Sequence, residues 1–424
     1  MTRINSIPSE PIINTHQVCV IAGEASGDAQ GALLVQALKE EFKNHPYFSS
    51  QSIEFWGASG PLLLQQGVVP IVRVEDLSVM GASEVIPKFF SISRAYKKLL
   101  ERIRKQKPLA VIFIDYPGFN LRLLQEVYAL GVTTIYHIPP KAWSHGESRT
   151  EILKKYSYLV TSILPFEQEF FHSHQVNIQF IGNPLKDKID EYRAKNPFPK
   201  DPNKIGILPG SRENEIKKLL PILIESFVAL QKEESQYVAH IPVAVTVDKL
   251  FMASVLDEIK QKLNLDESWF QEKIKIGYGN AYEVLNTSIY AWVCSGTATL
   301  ETAFFQTPMS VMYKVSPLTA FLAKKFLKVK YVSLVNLCTN SETIPEFLQE
   351  NASSINLVKH ALSILKNENA RLKMMKDLEA IASFFPNHAA KNAAHEMVQC
   401  MMNFNLPVSQ KFHLHAKALS RDLP

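Results

Sequence analysis

Residues 18–31 read V-C-V-I-A-G-E-A-S-G-D-A-Q-G. Val18, Cys19, Val20, Ile21 and Ala22 make a short apolar run of the kind a buried strand carries, and the run stops at Gly23. A helix is predicted to start near Gly27 and Asp28, with Leu33, Leu34, Ala37 and Leu38 on one face. A strand that feeds a small-residue loop opening a helix presents bare backbone N–H groups and the positive end of a helix dipole, which suits anions. Glu24 and Asp28 put carboxylates where a dinucleotide pyrophosphate needs neutral glycines, so this is not the dinucleotide fingerprint. A loop with both amides and acids suits a hydroxyl-rich substrate. A plain strand-to-helix turn of an α/β protein carries the same pattern.

The same alternation runs along the chain. Strand-like runs fall at 18–22, 53–56, 110–114, 133–138, 158–163 and 179–181, and resume at 204–208, 238–245, 274–277, 289–294 and 309–313. Helical patterns fill the gaps, for example 31–43, 120–130, 213–232, 281–285 and 297–305. Alternation of this kind predicts an α/β protein with two Rossmann-like parallel sheets and right-handed crossovers. The Pro-rich stretch 197–202 divides them. The expected domains are residues 1–200, residues 201–385, and a C-terminal helix and tail over 386–424. Each half is expected to bind ligand at the carboxyl ends of its strands, facing the cleft between them.

The chain has 424 residues, enough for two cores, with 46% apolar and 21% charged residues, ordinary for a globular protein. Its four cysteines, Cys19, Cys294, Cys338 and Cys400, lie far apart and read as free thiols in a reducing compartment. No apolar run approaches the roughly 18 residues of a membrane span, and the N-terminus lacks a signal-peptide core. The expectation is a cytoplasmic protein. The net charge of +5 is unevenly spread: between Lys88 and Lys107 stand eight Lys or Arg against one acid, Glu101. Lys324, Lys325, Lys328 and Lys330 form a second basic cluster. Ile86, Phe89, Phe90 and Ile92 accompany the first cluster, and Leu318, Phe321, Leu322, Phe326 and Leu327 the second. Basic residues interleaved with bulky apolar ones suit an anionic membrane surface, and equally a solvated helix with an ordinary core face. Nucleic-acid binding is disfavoured, because no aromatic platform repeats.

Two loops of the second half share one physical character. Leu208-Pro209-Gly210-Ser211-Arg212 follows a strand and precedes a helix, so Gly210 and Ser211 expose amides and Arg212 adds a fork for a phosphate. Ser295-Gly296-Thr297-Ala298-Thr299 opens a helix that carries Glu301. Together they suggest a diphosphate held between helix termini, with Glu301 accepting ribose hydroxyls. Either loop alone reads as an N-cap. In the first half Asp115 stands at the carboxyl end of a buried strand, in I-D-Y-P-G-F-N, where it can serve as a general base or cap the next helix. No D-x-D and no H-E-x-x-H occurs, so neither a metal nor another cofactor is expected, and leaving-group charge falls to Arg212 and the helix termini.

These pieces together resemble lipid-A-disaccharide synthases, glycosyltransferases of the two-Rossmann (GT-B) type. The likeness runs from about residue 16 to residue 400 and rests on seven motifs in order: A-G-E-A-S-G-D at 22–28, L-S-V-M-G-A-S-E-V at 77–85, I-D-Y-P-G-F-N at 114–120, L-P-F-E at 164–167, L-P-G-S-R at 208–212, S-G-T-A-T-L-E at 295–301 and Y-V-S-L-V-N-L at 331–337. The resemblance implies transfer of 2,3-diacylglucosamine from UDP-2,3-diacylglucosamine to the 6-hydroxyl of 2,3-diacylglucosamine 1-phosphate. The anomeric centre inverts and UDP leaves. It implies Asp115 as base, Arg212 and Asn336 in donor handling or catalysis, and Gly210, Ser211, Ser295, Gly296, Thr297 and Glu301 at the nucleotide. Ser26, Asp28 and Glu84 become substrate-binding candidates on the first half. The family acts at the inner leaflet of the inner membrane of Gram-negative bacteria and forms homodimers by exchanging C-terminal parts.

Three departures fall in the first half. Gly118 stands where the family has a second Asp, Ala142-Trp143-Ser144-His145-Gly146 replaces V-W-A-W-R, and Asn183 replaces the His of F-I-G-H. Two other classes stay open at this stage: a UDP-sugar 2-epimerase-like isomerase of the same architecture, and a non-catalytic paralogue that binds lipid or nucleotide.

Overall fold

A computed structural model describes residues 15–77, 85–316 and 330–405. Glu84, most of the L-S-V-M-G-A-S-E-V motif, the second basic cluster up to Lys328 and the tail from residue 406 lie outside the described residues.

The first half alternates strands and helices in the order β1 (Thr15–Ala22), α1 (Ala25–Asn44), β2 (Ser52–Ser59), α2 (Pro61–Gln65), β3 (Val69–Arg73), α3 (Val85–Gln106), β4 (Ala110–Ile114), α4 (Pro117–Ala129), β5 (Thr133–His137), α5 (Ser148–Tyr156), β6 (Leu159–Ser162), α6 (Pro165–Ser173), β7 (Ile178–Phe180) and α7 (Pro184–Lys195). The strands form one parallel sheet in the order β3-β2-β1-β4-β5-β6-β7. The order in which strands are added reverses between β1 and β4, which pair in parallel with Ala22 opposite Ile114. The loops that begin at Gly23 and Asp115 therefore sit side by side at the carboxyl edge, at the switch point where such sheets open a crevice.

The second half repeats the scheme: β8 (Asp201–Leu208), α8 (Glu213–Glu233), β9 (Val238–Val243), α9 (Lys249–Leu263), α10 (Glu267–Lys273), β10 (Ile274–Tyr278), α11 (Ala281–Thr287), β11 (Ser288–Cys294), α12 (Thr297–Phe304), β12 (Met309–Tyr313), α13 (Leu334–Thr339) and β13 (Glu346–Leu348), then α14 (Ser354–Leu365), α15 (Glu368–Ser383) and α16 (Ala389–Asn405). Its parallel sheet runs β10-β9-β8-β11-β12-β13. Here the reversal falls between β8 and β11, with Leu208 opposite Val293, so the loops around Gly210 and Gly296 are neighbours.

Two strands are absent from the sequence reading. β3 contains Pro70 and is tolerated because it is an edge strand with one side unpaired. β13 is three residues long, too short for a periodic signal, and pairs only with β12. The Pro-rich stretch also ends sooner than its composition suggests, because Asp201 and Pro202 already belong to β8. Lys200 pins this connection to the second half: its ammonium donates to Leu285 O at 2.8 Å, Phe305 O at 3.2 Å and Thr307 Oγ1 at 2.6 Å.

The last helix returns to the first half. Ala389, Ala393, Met397 and Met401 of α16 join Leu34 and Leu38 of α1 in one buried cluster. The crossing is close at Gly182, whose φ is +91° and where a Cβ would lie 2.3 Å from Pro386 O. Only glycine accepts both conditions. Asp187 then caps α16 by accepting the N–H groups of His388 and Ala389 at 2.7 and 2.8 Å. The C-terminal helix is thus a layer of the first half, although it follows the second in sequence. The four cysteines are free.

Candidate functional site

A cavity of about 850 Å³ opens between the halves. Lys141, Trp143 and Ser144 supply its first-half side. The second half contributes Gly210, Ser211 and Arg212 from the loop after β8, and Ser295, Gly296, Thr297 and Glu301 from the loop after β11 and from α12. Seven of the eight second-half candidates read from sequence therefore come together, because the β8/β11 reversal makes their loops neighbours.

The two loops are not equivalent. At the β8 loop Gly210 has φ +108°. A Cβ there would meet Glu215 Oε2 at 2.5 Å. That oxygen accepts the Ser211 and Arg212 N–H groups at 3.2 and 3.3 Å, and Glu215 Oε1 accepts from Arg212 Nη1 at 2.9 Å. This is a capping box at the start of α8. The Ser211 amide, expected to face a phosphate, is thus occupied by the protein's own carboxylate. The Arg212 side chain is 80% exposed and remains able to swing.

At the β11 loop the ground is open. Gly296 has φ +150°, and no atom lies within 4 Å of where its Cβ would stand. The Thr299 N–H is spent on Gly296 O at 3.1 Å, so the amides of Thr297 and Ala298 are the ones at the helix start without an intrahelical acceptor. Ser295 holds the loop in place by donating through Oγ to Val332 O at 2.9 Å, while its N–H donates to Met312 O. Glu301 stands one turn into α12 against the cavity, and burial raises its carboxyl above the ordinary value. Tyr282, on the cavity wall, is pushed up to about 12 by burial and by the Glu301 charge.

Asn336 does not reach the cavity. It is fully buried on α13, and all four hydrogen-bonding positions of its amide are used. Nδ2 donates to Ile344 O and Glu346 Oε1 at 2.8 and 2.9 Å, and Oδ1 accepts the N–H groups of Thr343 and Ile344 at 2.9 and 3.0 Å. Glu346 also accepts the N–H groups of Val332 and Ser333, both at 2.9 Å. The expected catalytic Asn336 is therefore a structural knot that shapes the segment carrying Val332, Leu334 and Leu337, which line the cavity.

On the first half, Asp28 is also spent on structure. It is 2% exposed and accepts the N–H groups of Gly60, Leu62 and Leu63 at 2.8, 2.8 and 3.1 Å, capping the five-residue α2. Oδ1 thus accepts two N–H groups and Oδ2 one, and Asp28 lies outside the cavity lining. Ser26 is exposed in the first turn of α1, away from the cavity lining.

Asp115 keeps its carboxylate. The N-cap of α4 is Tyr116, with no side-chain cap, so Asp115 is not the capping residue. Asp115 and Tyr116 both hold left-handed backbone, φ +45° and +49°. Two consecutive non-glycine residues there are strained and persist because their surroundings impose it. Asn120 Nδ2 donates to Ile114 O and Asp115 O at 3.2 and 2.7 Å, and the Tyr136 hydroxyl donates to Asp115 O at 2.7 Å. Gly23 leaves room for the Tyr116 ring, since a Cβ would lie 2.1 Å from it. Burial raises the Asp115 carboxyl, the Tyr116 N–H holds it down, the Glu24 charge raises it and Lys141 lowers it. Asp115 itself is outside the cavity lining, beside Lys141, which is part of it.

Two of the three departures are structurally mild, and the third, at 142–146, places Trp143 and Ser144 on the cavity wall. Gly118 has nothing within 4 Å of its Cβ position. Asn183 caps α7, accepting the Leu185 N–H at 3.0 Å and donating to Ile163 O at 3.2 Å. Roles for Lys141, Glu167, Glu215 and Glu346 escape the sequence reading, because each depends on a partner from another element or another turn. Among the described residues no cluster of His, Cys, Asp or Glu could hold a metal ion, and no helix is long and apolar enough to cross a membrane.

A sequence profile described as Lipid-A-disaccharide synthetase matches residues 18–399. A lipid-A-disaccharide synthase of Sulfurihydrogenibium sp. (strain YO3AOP1) is 30% identical over 402 residues, covering 91% of this chain and 98% of the relative. One from Myxococcus xanthus (strain DK1622) is 34% identical, covering 79% and 84%. The lipid-A-disaccharide synthase 2 of Legionella pneumophila subsp. pneumophila is 32% identical, covering 85% and 92%. Solved structures share the architecture at low identity. A putative UDP-N-acetylglucosamine 2-epimerase from Listeria monocytogenes matches with TM-score 0.60 at 13% identity, covering 92% and 96%. A glycosyltransferase from Rickettsia africae matches with TM-score 0.53 at 13% identity, covering 92% and 99%. At that identity the structural likeness speaks for the fold, in which transferases and epimerases are alike, whereas the sequence match separates them. The chain belongs to the lipid-A-disaccharide synthase family of glycosyltransferases.

Proposed function

We propose that the protein transfers 2,3-diacylglucosamine from UDP-2,3-diacylglucosamine to the 6-hydroxyl of 2,3-diacylglucosamine 1-phosphate, with inversion at the anomeric carbon. The observation that carries this reading is the family match over residues 18–399, joined to a cavity between the halves with an open helix N-terminus on its second-half side. UDP would lie on the second half, its diphosphate at the amides of α12 and its ribose hydroxyls on Glu301. Arg212 swings from Glu215 to the phosphate as the donor arrives.

In the reaction Asp115 takes the proton of the acceptor 6-hydroxyl. The oxygen bonds the anomeric carbon as the bond to the β-phosphate oxygen breaks, and UDP departs with that electron pair. Arg212 and the α12 terminus stabilise the charge on the leaving phosphate. The strained Asp115–Tyr116 turn keeps the base at the switch point, and burial lifts its proton affinity towards that of a useful base.

The acyl chains call for a lipid surface. α3 bears Arg94, Lys97, Lys98, Arg102, Arg104 and Lys105, and Phe90 on it is 67% exposed. We place this helix against the anionic inner leaflet of the cytoplasmic membrane. A homodimer that exchanges its C-terminal parts would re-create the α1–α16 packing between copies.

The test is to incubate the purified protein with both acylated sugars in mixed micelles and follow UDP and disaccharide by mass spectrometry. Disaccharide with release of UDP is expected. UDP binding without disaccharide would remove the proposed acceptor, and absence of UDP binding would remove the reading altogether.

A further inference from the structure

Behind the cavity wall lies a buried carboxyl that the proposed reaction leaves unused. Glu167 stands in the first turn of α6 and is 3% exposed. Its Oε1 accepts the indole N–H of Trp143 at 3.1 Å, and its Oε2 has no hydrogen-bond partner. Trp143 lines the cavity, and its ring meets that of Phe166, the residue before Glu167, edge-on at 5.0 Å and 87°. Two adjacent residues of one helical turn thus hold the indole, one by its edge and one by its N–H.

Three other elements bring ionisable groups to Glu167. Lys141, from the loop after β5, favours its charged form, and Asp115, at the end of β4, disfavours it. Cys338, on α13 of the second half, has its thiol raised further by the Glu167 charge. Burial outweighs these and pushes Glu167 up to about 8, so at neutral pH it is mostly a neutral acid. α6 also packs against α13, whose Leu334 and Leu337 line the same cavity. An unpartnered buried polar atom costs about 1–3 kcal/mol, so packing alone does not account for a glutamate in this place.

We propose that Glu167 is a positioning residue for the sugar of the substrate: it locks the Trp143 indole as an aromatic wall against which the pyranose ring of an acylated glucosamine rests. The proposal rests on the transferase reading above. An indole presents an apolar face to the C–H groups of a pyranose, and its N–H, once committed to Glu167, cannot turn the ring out of line. The nucleotide loops belong to the opposite half, so the wall bears on the sugar and not on UDP.

The test compares wild type, Glu167→Leu, Glu167→Gln, Trp143→Phe and the double variant Glu167→Leu/Trp143→Phe. Steady-state kinetics with both acylated sugars, UDP titration calorimetry and thermal melts are measured on each. Glu167→Leu and Trp143→Phe are expected to raise the KM of an acylated sugar about 10-fold, with a smaller change in kcat and an unchanged UDP Kd. Glu167→Gln recovers most of the loss, because its amide oxygen still accepts the indole N–H. The double variant is no worse than the worse single one, as expected for residues that act as a unit. A wild-type KM in folded Glu167→Leu, or losses that multiply in the double variant, overturns the proposal. Should Glu167→Leu fail to fold, an unchanged KM in Trp143→Phe overturns it instead. A wild-type protein that does not bind UDP removes the transferase reading and the proposal together. UDP binding with an unmoved sugar KM removes the proposal alone.

Discussion

Glu215 Oε1 lies 2.9 Å from Arg212 Nη1, one turn inside the helix that Arg212 caps, and its other oxygen accepts the Arg212 N–H. An internal carboxylate therefore occupies the guanidinium and amides that the proposed donor would use. Ligand and Glu215 compete for one set of donors, while Glu215 also steadies the start of α8.

Glu215→Gln separates these two effects. It keeps the size and one acceptor but removes a negative charge from the cavity wall. UDP is expected to bind about 3- to 10-fold more tightly, since a charge pair near a protein surface is worth about 1 kcal/mol or more. The helix cap weakens by about 0.5–2 kcal/mol. Titration calorimetry and denaturant melts read the two separately. Weaker UDP binding would mean that Glu215 supports the bound state by holding Arg212.

Asp115→Asn removes the proposed base while keeping the shape of the turn. Turnover should fall about 100-fold or more with UDP affinity largely kept. Because burial raises the Asp115 carboxyl, the acidic limb of the pH–rate profile should lie above the ordinary carboxylate range, with activity lost as pH falls through it. Near-normal turnover would remove Asp115 from the reaction.

Asp28→Ala and Asn336→Ala should act on stability, not on nucleotide binding. Asp28 satisfies three amides of α2, and Asn336 ties two amides, a carbonyl and Glu346. Each loss leaves buried groups unpaired, at about 1–3 kcal/mol per group. Urea melts should show both variants well below wild type, with UDP Kd within about 3-fold for Asp28→Ala. A large change in UDP Kd at unchanged stability would return Asp28 to the ligand site.

Stability against pH should carry the mark of Glu167. Its folded value is raised to about 8 from 4.5, so its contribution is fully present below pH 4.5 and is lost as pH rises towards 8. Glu167→Gln cannot ionise. Relative to that variant, wild type should lose about 1 kcal/mol per pH unit within this window. Parallel stability curves for the two proteins would mean that Glu167 is charged and solvated.

The alternation of apolar runs with helical patterns was enough to specify two parallel sheets. A strand buried on both faces, such as Ala110–Ile114, must be apolar throughout and so announces itself locally. The second-half site was legible for the same reason: Gly210, Arg212, Gly296 and Glu301 lie within a few residues of a strand end, and the switch point brings such ends together. Partnership across the fold left no local trace. Asp28 looks like a free acid until Gly60 and Leu62 arrive from the next strand–helix turn, and Asn336 looks like a catalytic amide until residues 343–346 fold onto it. α16 reads as an appendage until its alanines and methionines meet α1. Short-range periodicity follows from the geometry of helix and strand, which neighbouring residues suffice to specify. Whether a buried carboxylate caps a helix, holds an indole or takes a proton is decided by donors more than thirty residues away for Asp28 and twenty-four for Glu167, and chain packing alone brings them into reach.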